Sequence, residues 1–337
     1  MRNPKTLHWS FLRGAWGLLA LMCVPPAAHA SPKLTRIVVA YQPGDADSQG
    51  IVKQEGWFDE VDGVKVEYRD FNSGADVYRA MASGAIDLGL IGNAPFTIAV
   101  TQKAPYQAAW WYDIGTTGEG LVVRKSANIQ TVADLKGHSV ATPFGSTADY
   151  MLHGTLQTAG VGGGVKLLNL SPQAILAAWR RGDIDAAYIW EPVLSELVKR
   201  GGVILAEDKD ILKDGYLAGD LGVVRTRFLQ EHPDVVRAWM IANIRAMELI
   251  RNNPAKAESA ASQAYGVSIP EIKDDFAGDI FPLGSEQLGS TYLGGTGAQL
   301  YHIAQLLAAD RLIPQAAPES VYISAVSLEP LKDALAH

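Results

Sequence analysis

Cysteine is almost absent from this chain of 337 residues, because the single one, Cys23, lies within the first thirty. The remainder of the chain therefore has no disulfide bond and no thiol chemistry. Catalytic signatures are also missing: no H-E-x-x-H zinc motif, no G-x-S-x-G nucleophile turn and no phosphate-binding loop occurs. The histidines beyond residue 30 are scattered singly. We therefore predict no catalytic residue, no metal site and no cofactor.

Positive charge is scarce as well. Without the three basic residues of the first thirty, 26 lysines and arginines remain of 29, against 36 acidic residues, so the net charge is −10. This excess of negative charge argues against a nucleic-acid partner. Acidic pairs such as Asp274-Asp275 fall in helical stretches, and we interpret them as solvated.

The first thirty residues differ in composition from the rest. Three basic residues come first, an apolar run follows over 14–24, and the segment closes on A-H-A at 28–30. This pattern predicts a secretory signal peptide, cleaved near Ala30, which directs the protein to the periplasm; the run is too short to span a bilayer. In an alternative reading Cys23 is lipidated, but Met22 stands where such processing favours a small residue.

Short apolar runs alternate with helical patterns beyond residue 34. Strands are predicted at 37–40, 64–68, 87–91, 139–141 and 165–170, and helices at 75–82, 95–102 and 147–159. The chain beyond 233 is mainly helical, at 234–251, 254–265 and 296–309. This order predicts an α/β protein with mostly parallel, helix-covered sheets.

An internal repeat indicates two similar halves. The segments 79–91 (RAMASGAIDLGLI) and 177–189 (AAWRRGDIDAAYI) each end a helix, cap it with Gly84 or Gly182, and open a strand on Ile-Asp. Two unrelated βα units with ordinary glycine caps are the alternative. The repeat favours two lobes that face each other.

Each repeated strand is followed by a proline suited to the first position of a helix, Pro95 or Pro192. Ligands of α/β sheets bind beyond the carboxyl ends of the strands, beside helix starts that attract anions. Residues 92–94 and 190–191 should therefore border a shared cleft. Ser146 and Thr147 mark a third such helix start, where they either bind an oxyanion or simply cap the helix.

Aromatic residues cluster at 110–112 (WWY) and 188–190 (YIW). Such rings either pack in the core or form an aromatic wall, which desolvates a small ligand and stacks on an ammonium group. Alternation along a strand sends neighbouring rings to opposite faces, so each cluster is expected to contribute to the core.

Several motifs together resemble those of the taurine-binding proteins, the periplasmic components of taurine ABC importers. The motifs are VAYQ at 39–42, FNSGADVYRAMASG at 71–84, LVVRK at 121–125, VADLKG at 132–137, AILAAWRRGDIDAAYIWEP at 174–192 and FLQEHPDVVRAW at 228–239. The resemblance extends over nearly the whole chain beyond the signal. The last two motifs are shared with the aliphatic sulfonate binders, and the others more widely.

The resemblance implies the periplasmic-binding-protein (type II) fold, with two Rossmann-like α/β lobes, a central cleft and two hinge crossings. Lobe 1 would comprise 31–124 and 220–337, and lobe 2 would comprise 125–219. It also implies a monomer that closes around its ligand and delivers it to a membrane permease driven by a separate ATPase.

The resemblance implies which residues would bind each end of taurine, a zwitterion with a sulfonate and an ammonium group. Helix starts would bind the sulfonate, Glu119 and Asp220 the ammonium, and Trp190 would stack nearby. The full predicted site is Gln42, Asn93, Ala94, Glu119, Ser146, Thr147, Trp190, Glu191 and Asp220. Glu191 departs from the family pattern, as does the segment 213–219. Aliphatic sulfonates, nitrate, a pyrimidine-type precursor and other amines therefore remain alternative ligands.

Two other classes of function compete with import. The thiamine-pyrimidine synthases share this fold but depend on a cysteine-rich motif that is missing here. A receptor subunit that reports its ligand to a signalling partner is the second, which a neighbouring permease and ATPase gene pair would argue against. We expect a binding protein and no enzyme.

Overall fold

The computed structural model describes residues 34–43, 47–161 and 163–336, so the predicted signal peptide and Cys23 lie outside the described residues. The strands are β1 (Ile37–Tyr41), β2 (Glu60–Val61), β3 (Val64–Asp70), β4 (Leu88–Gly92), β5 (Tyr106–Trp111), β6 (Ile114–Gly115), β7 (Glu119–Arg124), β8 (Ser139–Thr142), β9 (Lys166–Asn169), β10 (Ala186–Trp190), β11 (Gly202–Glu207), β12 (Asp220–Arg225) and β13 (Asp279–Ile280).

Helices separate most of these strands. They are α1 (Ser48–Gln54), α2 (Gly74–Ala82), α3 (Asn93–Thr101), α4 (Thr147–Thr158), α5 (Pro172–Arg181), α6 (Val193–Lys199), α7 (Thr226–Glu231), α8 (Pro233–Asn252), α9 (Pro254–Tyr265), α10 (Ile269–Gly278), α11 (Thr296–Ala309), α12 (Glu319–Ser324) and α13 (Glu329–Leu335). No helix among the described residues is both long and apolar enough to cross a membrane.

Two main sheets organise the fold. The first has the strand order β2-β3-β1-β4-β12-β5 and the second has the order β11-β7-β10-β8-β9, while β6 and β13 form a small third sheet. We use first lobe and second lobe for the two main sheets with the helices packed on them. The predicted α/β fold with two such sheets is confirmed.

One antiparallel strand enters the parallel core of each sheet. In the first sheet β12 runs antiparallel to β4 and β5, and in the second β7 runs antiparallel to β10 and β11. Sheet membership therefore puts residues 119–124, predicted as the end of lobe 1, in the second lobe. The chain crosses between the sheets just before β7 and returns just before β12.

Continuous apolar strands form the centre of each lobe. All five residues of β1 and of β4 are buried, as expected for strands covered by helices on both faces. The aromatic cluster Trp110, Trp111 and Tyr112 is at most 1% exposed and belongs to the core. Its rings therefore contribute packing to the first lobe.

The internal repeat corresponds to a repeated structure. Gly84 and Gly182 both have left-handed backbone conformations, with φ of 68° and 82°. The following aspartates act alike, because Asp87 accepts a hydrogen bond from Val38 N–H (2.9 Å) and Asp185 accepts one from Ser139 N–H (2.8 Å). Each aspartate thus ties its own strand to the strand beside it.

The helix starts after the repeated strands differ from the prediction. Pro95 is the third residue of α3, and Pro192 precedes α6 as its cap residue. Proline fits both positions. It has no backbone N–H, and the N–H groups at the start of a helix have no intrahelical partner to lose.

The structural role of Asp87 in the repeat can be tested by replacing it and measuring the stability of the protein. Asp87 also pairs with Arg225, and its side chain is only 10% exposed. Asp87→Ala would leave the buried Val38 N–H without its acceptor, so we expect the free energy of unfolding to fall by about 2 kcal/mol in urea titrations. The matched control is Asp70→Ala, whose side chain is 66% exposed and whose loss should cost less than about 0.5 kcal/mol. Equal effects of the two changes would contradict this role.

Candidate ligand-binding cavity

A cavity with about 710 Å³ of empty volume, some of it open to solvent, lies where the two lobes meet. Its wall includes the last residues of two central parallel strands, Gly92 of β4 and Trp190 of β10. This is the end of an α/β sheet at which ligands bind, because the following helix starts and loops converge there.

The antiparallel strands place one acid in each lobe at equivalent positions. Glu119 is the first residue of β7 and lies opposite Trp190, and Asp220 is the first residue of β12 and lies opposite Gly92. Both acids line the cavity. The two lobes therefore each contribute a carboxylate from the same point of the fold.

The start of α4 forms another part of the wall. Ser146 and Thr147 line the cavity, and Ser146 Oγ caps the helix by accepting a hydrogen bond from Asp149 N–H (3.2 Å). A Cβ atom on Gly92 would collide with Thr147 Oγ1. The strand end of the first lobe and the helix start of the second lobe are therefore in direct contact.

Most of the sequence-predicted site residues come together at this cavity. The residues that line it are Gln42, Glu119, Ser146, Thr147, Trp190, Glu191 and Asp220. Asn93 and Ala94 lie behind the wall and are fully buried. Asn93 donates through its backbone N–H to Gly219 O (2.9 Å) and through Nδ2 to Leu217 O (2.7 Å). It thereby fixes α3 to the chain segment that returns from the second lobe.

Glu191 has two structural roles. It lines the cavity, and its carboxylate caps α6 by accepting hydrogen bonds from Ser195 N–H (3.0 Å) and Ser195 Oγ (2.8 Å). Burial raises its pKa above the ordinary value. Its backbone N–H donates to Gly118 O (3.0 Å), so the residue also joins the second lobe to the crossing segment.

Among the described residues of the wall, four acids were not predicted from the sequence. They are Asp113, Asp208, Asp275 and Asp279. The interpretation of the Asp274-Asp275 pair as solvated was wrong for Asp275, which is half-buried and lines the cavity, whereas Asp274 is exposed. Successive residues of a helix point about 100° apart, so the position of α10 over the cavity separates the two.

The sequence gives little indication that these acids line the cavity, because their positions depend on contacts between distant parts of the chain. Asp208 follows the edge strand β11, and Asp279 belongs to a two-residue strand that pairs with Gly115. Such short or irregular segments have no periodicity to place them. Only the excess of acids over bases in the whole chain indicates a site of this charge.

The cavity wall is strongly acidic. It contains seven carboxylates, Asp113, Glu119, Glu191, Asp208, Asp220, Asp275 and Asp279, and among the described residues no lysine, arginine or histidine lines it. Burial, followed by the repulsion of neighbouring carboxylates, raises the pKa of Asp220 and of Asp275 to about 8. Burial likewise raises the pKa of Asp279 to about 7. Such a wall binds protons or cations in preference to anions.

A buried acid behind the wall adds to this field. Asp47 caps α1, and its Oδ1 accepts hydrogen bonds from Gly50 N–H (3.0 Å) and Tyr265 Oη (2.9 Å). Burial raises its pKa to about 6, and its charge in turn raises the pKa of Asp220 and Asp279. Within the described part of the chain, no group of three or more His, Cys, Asp or Glu side chains is arranged to hold a metal ion.

Contacts between the lobes extend outward from the cavity. Lys199 of α6 pairs with Glu271 of α10, and Gln173 Nε2 of α5 donates to Asn72 Oδ1 before α2 (3.3 Å). These polar contacts lie on the exposed rim. The structure therefore has its lobes drawn together around the cavity.

Comparisons with known proteins agree with this architecture. The model of the NMT1-like family matches residues 30–264. The chain is 37% identical to the taurine-binding periplasmic protein of Escherichia coli (strain K12) over 219 residues, 65% of this chain and 67% of that relative.

Solved structures share the fold. The alkanesulfonate-binding protein SsuA from Xanthomonas axonopodis pv. citri, bound to MOPS, superposes with a TM-score of 0.72 at 24% identity, covering 88% of this chain and 99% of that one. The periplasmic aliphatic sulphonate binding protein SsuA from Escherichia coli has a TM-score of 0.65 at 21% identity, covering 86% and 92%. With the fold, the cavity and these relatives in agreement, the chain belongs to the NMT1-like family and has the periplasmic-binding-protein fold.

Proposed function

We propose that this protein is the periplasmic substrate-binding component of an ABC importer and that it captures taurine in the cavity between its lobes. The observation that carries the proposal is the pairing of a helix start with two equivalent acids, Glu119 and Asp220, around one cavity. Taurine has a sulfonate at one end and an ammonium at the other, which are the two groups that such a wall recognises.

The sulfonate end fits the start of α4. The hydroxyl groups of Ser146 and Thr147 border the cavity, and the first N–H groups of a helix have no intrahelical partner. Together with the helix dipole, these donors attract an anionic group. A sulfonate bound there would bridge the lobes, because Thr147 meets Gly92 of the first lobe at this point.

The ammonium end fits the carboxylates and Trp190. Glu119 and Trp190 are paired across neighbouring strands, so their side chains project to the same face of the second sheet. An ammonium between the two acids would make charge-assisted hydrogen bonds to both lobes, with the indole ring as an apolar wall. The ligand would thus stabilise the closed arrangement from both of its ends.

The role in import rests on the relatives. Their names describe periplasmic binding proteins for taurine and alkanesulfonates. By analogy we propose a monomer that is exported by its signal peptide, binds without chemical turnover, and passes its ligand to an inner-membrane permease with a separate ATPase. MOPS, the ligand in one related structure, also combines a sulfonate with an amine.

Asp220 tests the ammonium assignment. Asp220→Ala should weaken taurine binding at least about tenfold, on the order of 1.5–3 kcal/mol for the loss of a charge-assisted contact, as measured by isothermal titration calorimetry. Asp274→Ala is the matched control, because this exposed acid lies outside the cavity and its loss should leave the affinity unchanged. An unchanged affinity in Asp220→Ala would remove this residue from the site.

A pair of ligands separates the two ends of the site. Taurine should raise the melting temperature of the protein, because a ligand that binds only the native state stabilises it. Ethanesulfonate, which lacks the amine, should raise it far less at the same concentration, because its only charge is negative and the wall is acidic. Stronger stabilisation by ethanesulfonate would favour a binder of simple aliphatic sulfonates instead.

The raised pKa values give a pH dependence with a defined sign. Burial and neighbouring carboxylates raise the pKa values of Asp220 and Asp275 to about 8, and burial raises that of Asp279 to about 7, so near pH 6 these acids are mainly protonated. An ammonium binds the ionised forms, so taurine should release protons and bind more tightly as pH rises from 6 to 8. Titrations in two buffers with different ionisation enthalpies measure this release, and its absence would contradict the assignment.

The same raised pKa values also make the stability of the protein depend on pH. Stability should fall as pH rises, whereas taurine affinity should rise. Between the unfolded pKa near 4 and these native values, the native state binds more protons than the unfolded state. The free energy of unfolding of the empty protein should therefore decrease as pH rises from about 4 to about 8. Urea titrations across this range measure the decrease.

A further inference from the structure

The cavity offers more carboxylates than a primary ammonium can use. An ammonium has three N–H donors, which Glu119 and Asp220 together are able to satisfy. Two further acids have internal hydrogen bonds: Glu191 caps α6, and Asp113 Oδ1 accepts from Asp220 N–H (3.2 Å). Three more wall acids come from other elements, Asp208, Asp275 and Asp279. Asp208 accepts one hydrogen bond from Tyr188 and Asp279 accepts one from the backbone of Thr116.

Asp208 is the most constrained of these acids. It is fully buried, and its Oδ1 accepts a hydrogen bond from Tyr188 Oη (2.7 Å). Its Oδ2 has no hydrogen-bond partner among the described residues, although Asp208 belongs to the cavity wall. Buried polar atoms are nearly always hydrogen-bonded, because leaving one without a partner forfeits the hydrogen bonds that it makes with water in the unfolded chain. The described residues therefore provide no hydrogen-bond partner for this oxygen.

Two glycines leave a gap in front of this oxygen. A Cβ atom on Gly115 would lie 3.6 Å from Asp208 Oδ2 and 3.8 Å from Asp279 Oδ1. A Cβ atom on Gly118 would lie 3.6 Å and 3.8 Å from the two carboxylate oxygens of Asp279. The two acids thus face one gap whose floor is backbone without side chains, and a Cβ atom fits in this gap in ordinary van der Waals contact with their oxygens.

We propose that this gap between Asp208 and Asp279 is a second cation subsite, and that the preferred ligand is an alkanesulfonate whose cationic end is a guanidino group. A guanidinium is planar and presents five N–H donors in a fixed fork, so one such group reaches more carboxylates than an ammonium does. It is also more weakly hydrated, which favours its transfer into a closed cavity.

This inference rests on the proposed function, because the sulfonate end is assigned there. It differs from that proposal in the cationic end. Taurine would occupy Glu119 and Asp220 and leave Asp208 Oδ2 unpaired, whereas a guanidino ligand would extend into the gap beside Gly115. The charge of the wall also favours this class, because a guanidinium stays ionised at every pH at which the wall is ionised.

The experiment compares two sulfonates by isothermal titration calorimetry at one pH and one ionic strength. Taurine and 2-guanidinoethanesulfonate share the sulfonate and the two-carbon spacer and differ in the cationic group. We expect the guanidino compound to bind about tenfold more tightly, the effect of one additional charge-assisted hydrogen bond. The readout is the ratio of the two dissociation constants.

Two variants locate the effect. Asp208→Asn removes the charge of the subsite, and Gly115→Ala fills the gap with a methyl that makes only ordinary contacts at 3.6–3.9 Å. Each should bring the ratio close to one. Asp274→Asn, an exposed acid outside the cavity, should keep the ratio of the unchanged protein. Gly115→Ala keeps the test decisive if Asp208→Asn fails to fold, which thermal melting shows.

The outcomes separate this inference from the proposed function. If taurine binds at least as tightly as the guanidino compound, or if neither variant changes the ratio, the second subsite is wrong and the taurine proposal stands. If neither sulfonate binds, both proposals are wrong. A diamine such as 1,3-diaminopropane is included, because its binding in the absence of sulfonate binding would show that the wall accepts cations without the anion site.

Discussion

Repulsion between buried carboxylates is the physical constraint on which this structure depends. Seven acids line one cavity, and the described residues of its wall include no basic side chain. Buried charges of one sign repel one another, so burial and neighbouring carboxylates raise the pKa values of Asp220, Asp275 and Asp279, and these acids hold protons near pH 6. Under the proposed function, a cationic ligand would replace those protons, and the energy of closing the lobes would thereby be linked to the charge of the ligand.

Repetition within the fold explains why two of these acids, Glu119 and Asp220, occupy equivalent positions in the two lobes. Each lobe has a parallel core that one antiparallel strand joins, and the first residue of that strand lies beside the end of a central parallel strand. The repeat includes the aspartates that fix the opposite strand ends, Asp87 and Asp185. A cavity between two such lobes receives one carboxylate from each. The remaining acids come from segments outside the repeat, and they give the wall its asymmetry.

Much of the fold could be predicted because its signals are local. Buried strands appear as continuous apolar runs, and α5 is bounded by Ser171, Pro172 and Gly182, each with a defined capping role. The reversal of β7 and β12 could not be predicted, because strand direction depends on how the chain returns to a sheet and not on the residues of the strand. For the same reason the first crossing between the lobes was predicted after residue 124, whereas the chain crosses before β7.

The residues of the cavity wall were predictable only where they coincide with ends of regular elements. Glu119, Trp190 and Asp220 stand at strand ends, and Ser146 stands at a helix start, so their pattern and the family resemblance indicate them. Asn93 also stands at a helix start, but Gly219 O accepts its N–H and the residue lies behind the wall. Asp208 and Asp279 come from distant parts of the chain that meet only in the folded protein.

The ion pair between Lys199 and Glu271 lies on the exposed rim, away from the cavity wall, and joins one lobe to the other. Separation of the lobes would break it, and a change at either residue would alter the balance between open and closed forms without altering any group that lines the cavity. Under the proposed function, how tightly the protein holds its ligand and which ligand it prefers would therefore be separable properties. Under that function, changes at surface residues alone would adjust the retention of the ligand, while the chemistry of recognition stayed the same.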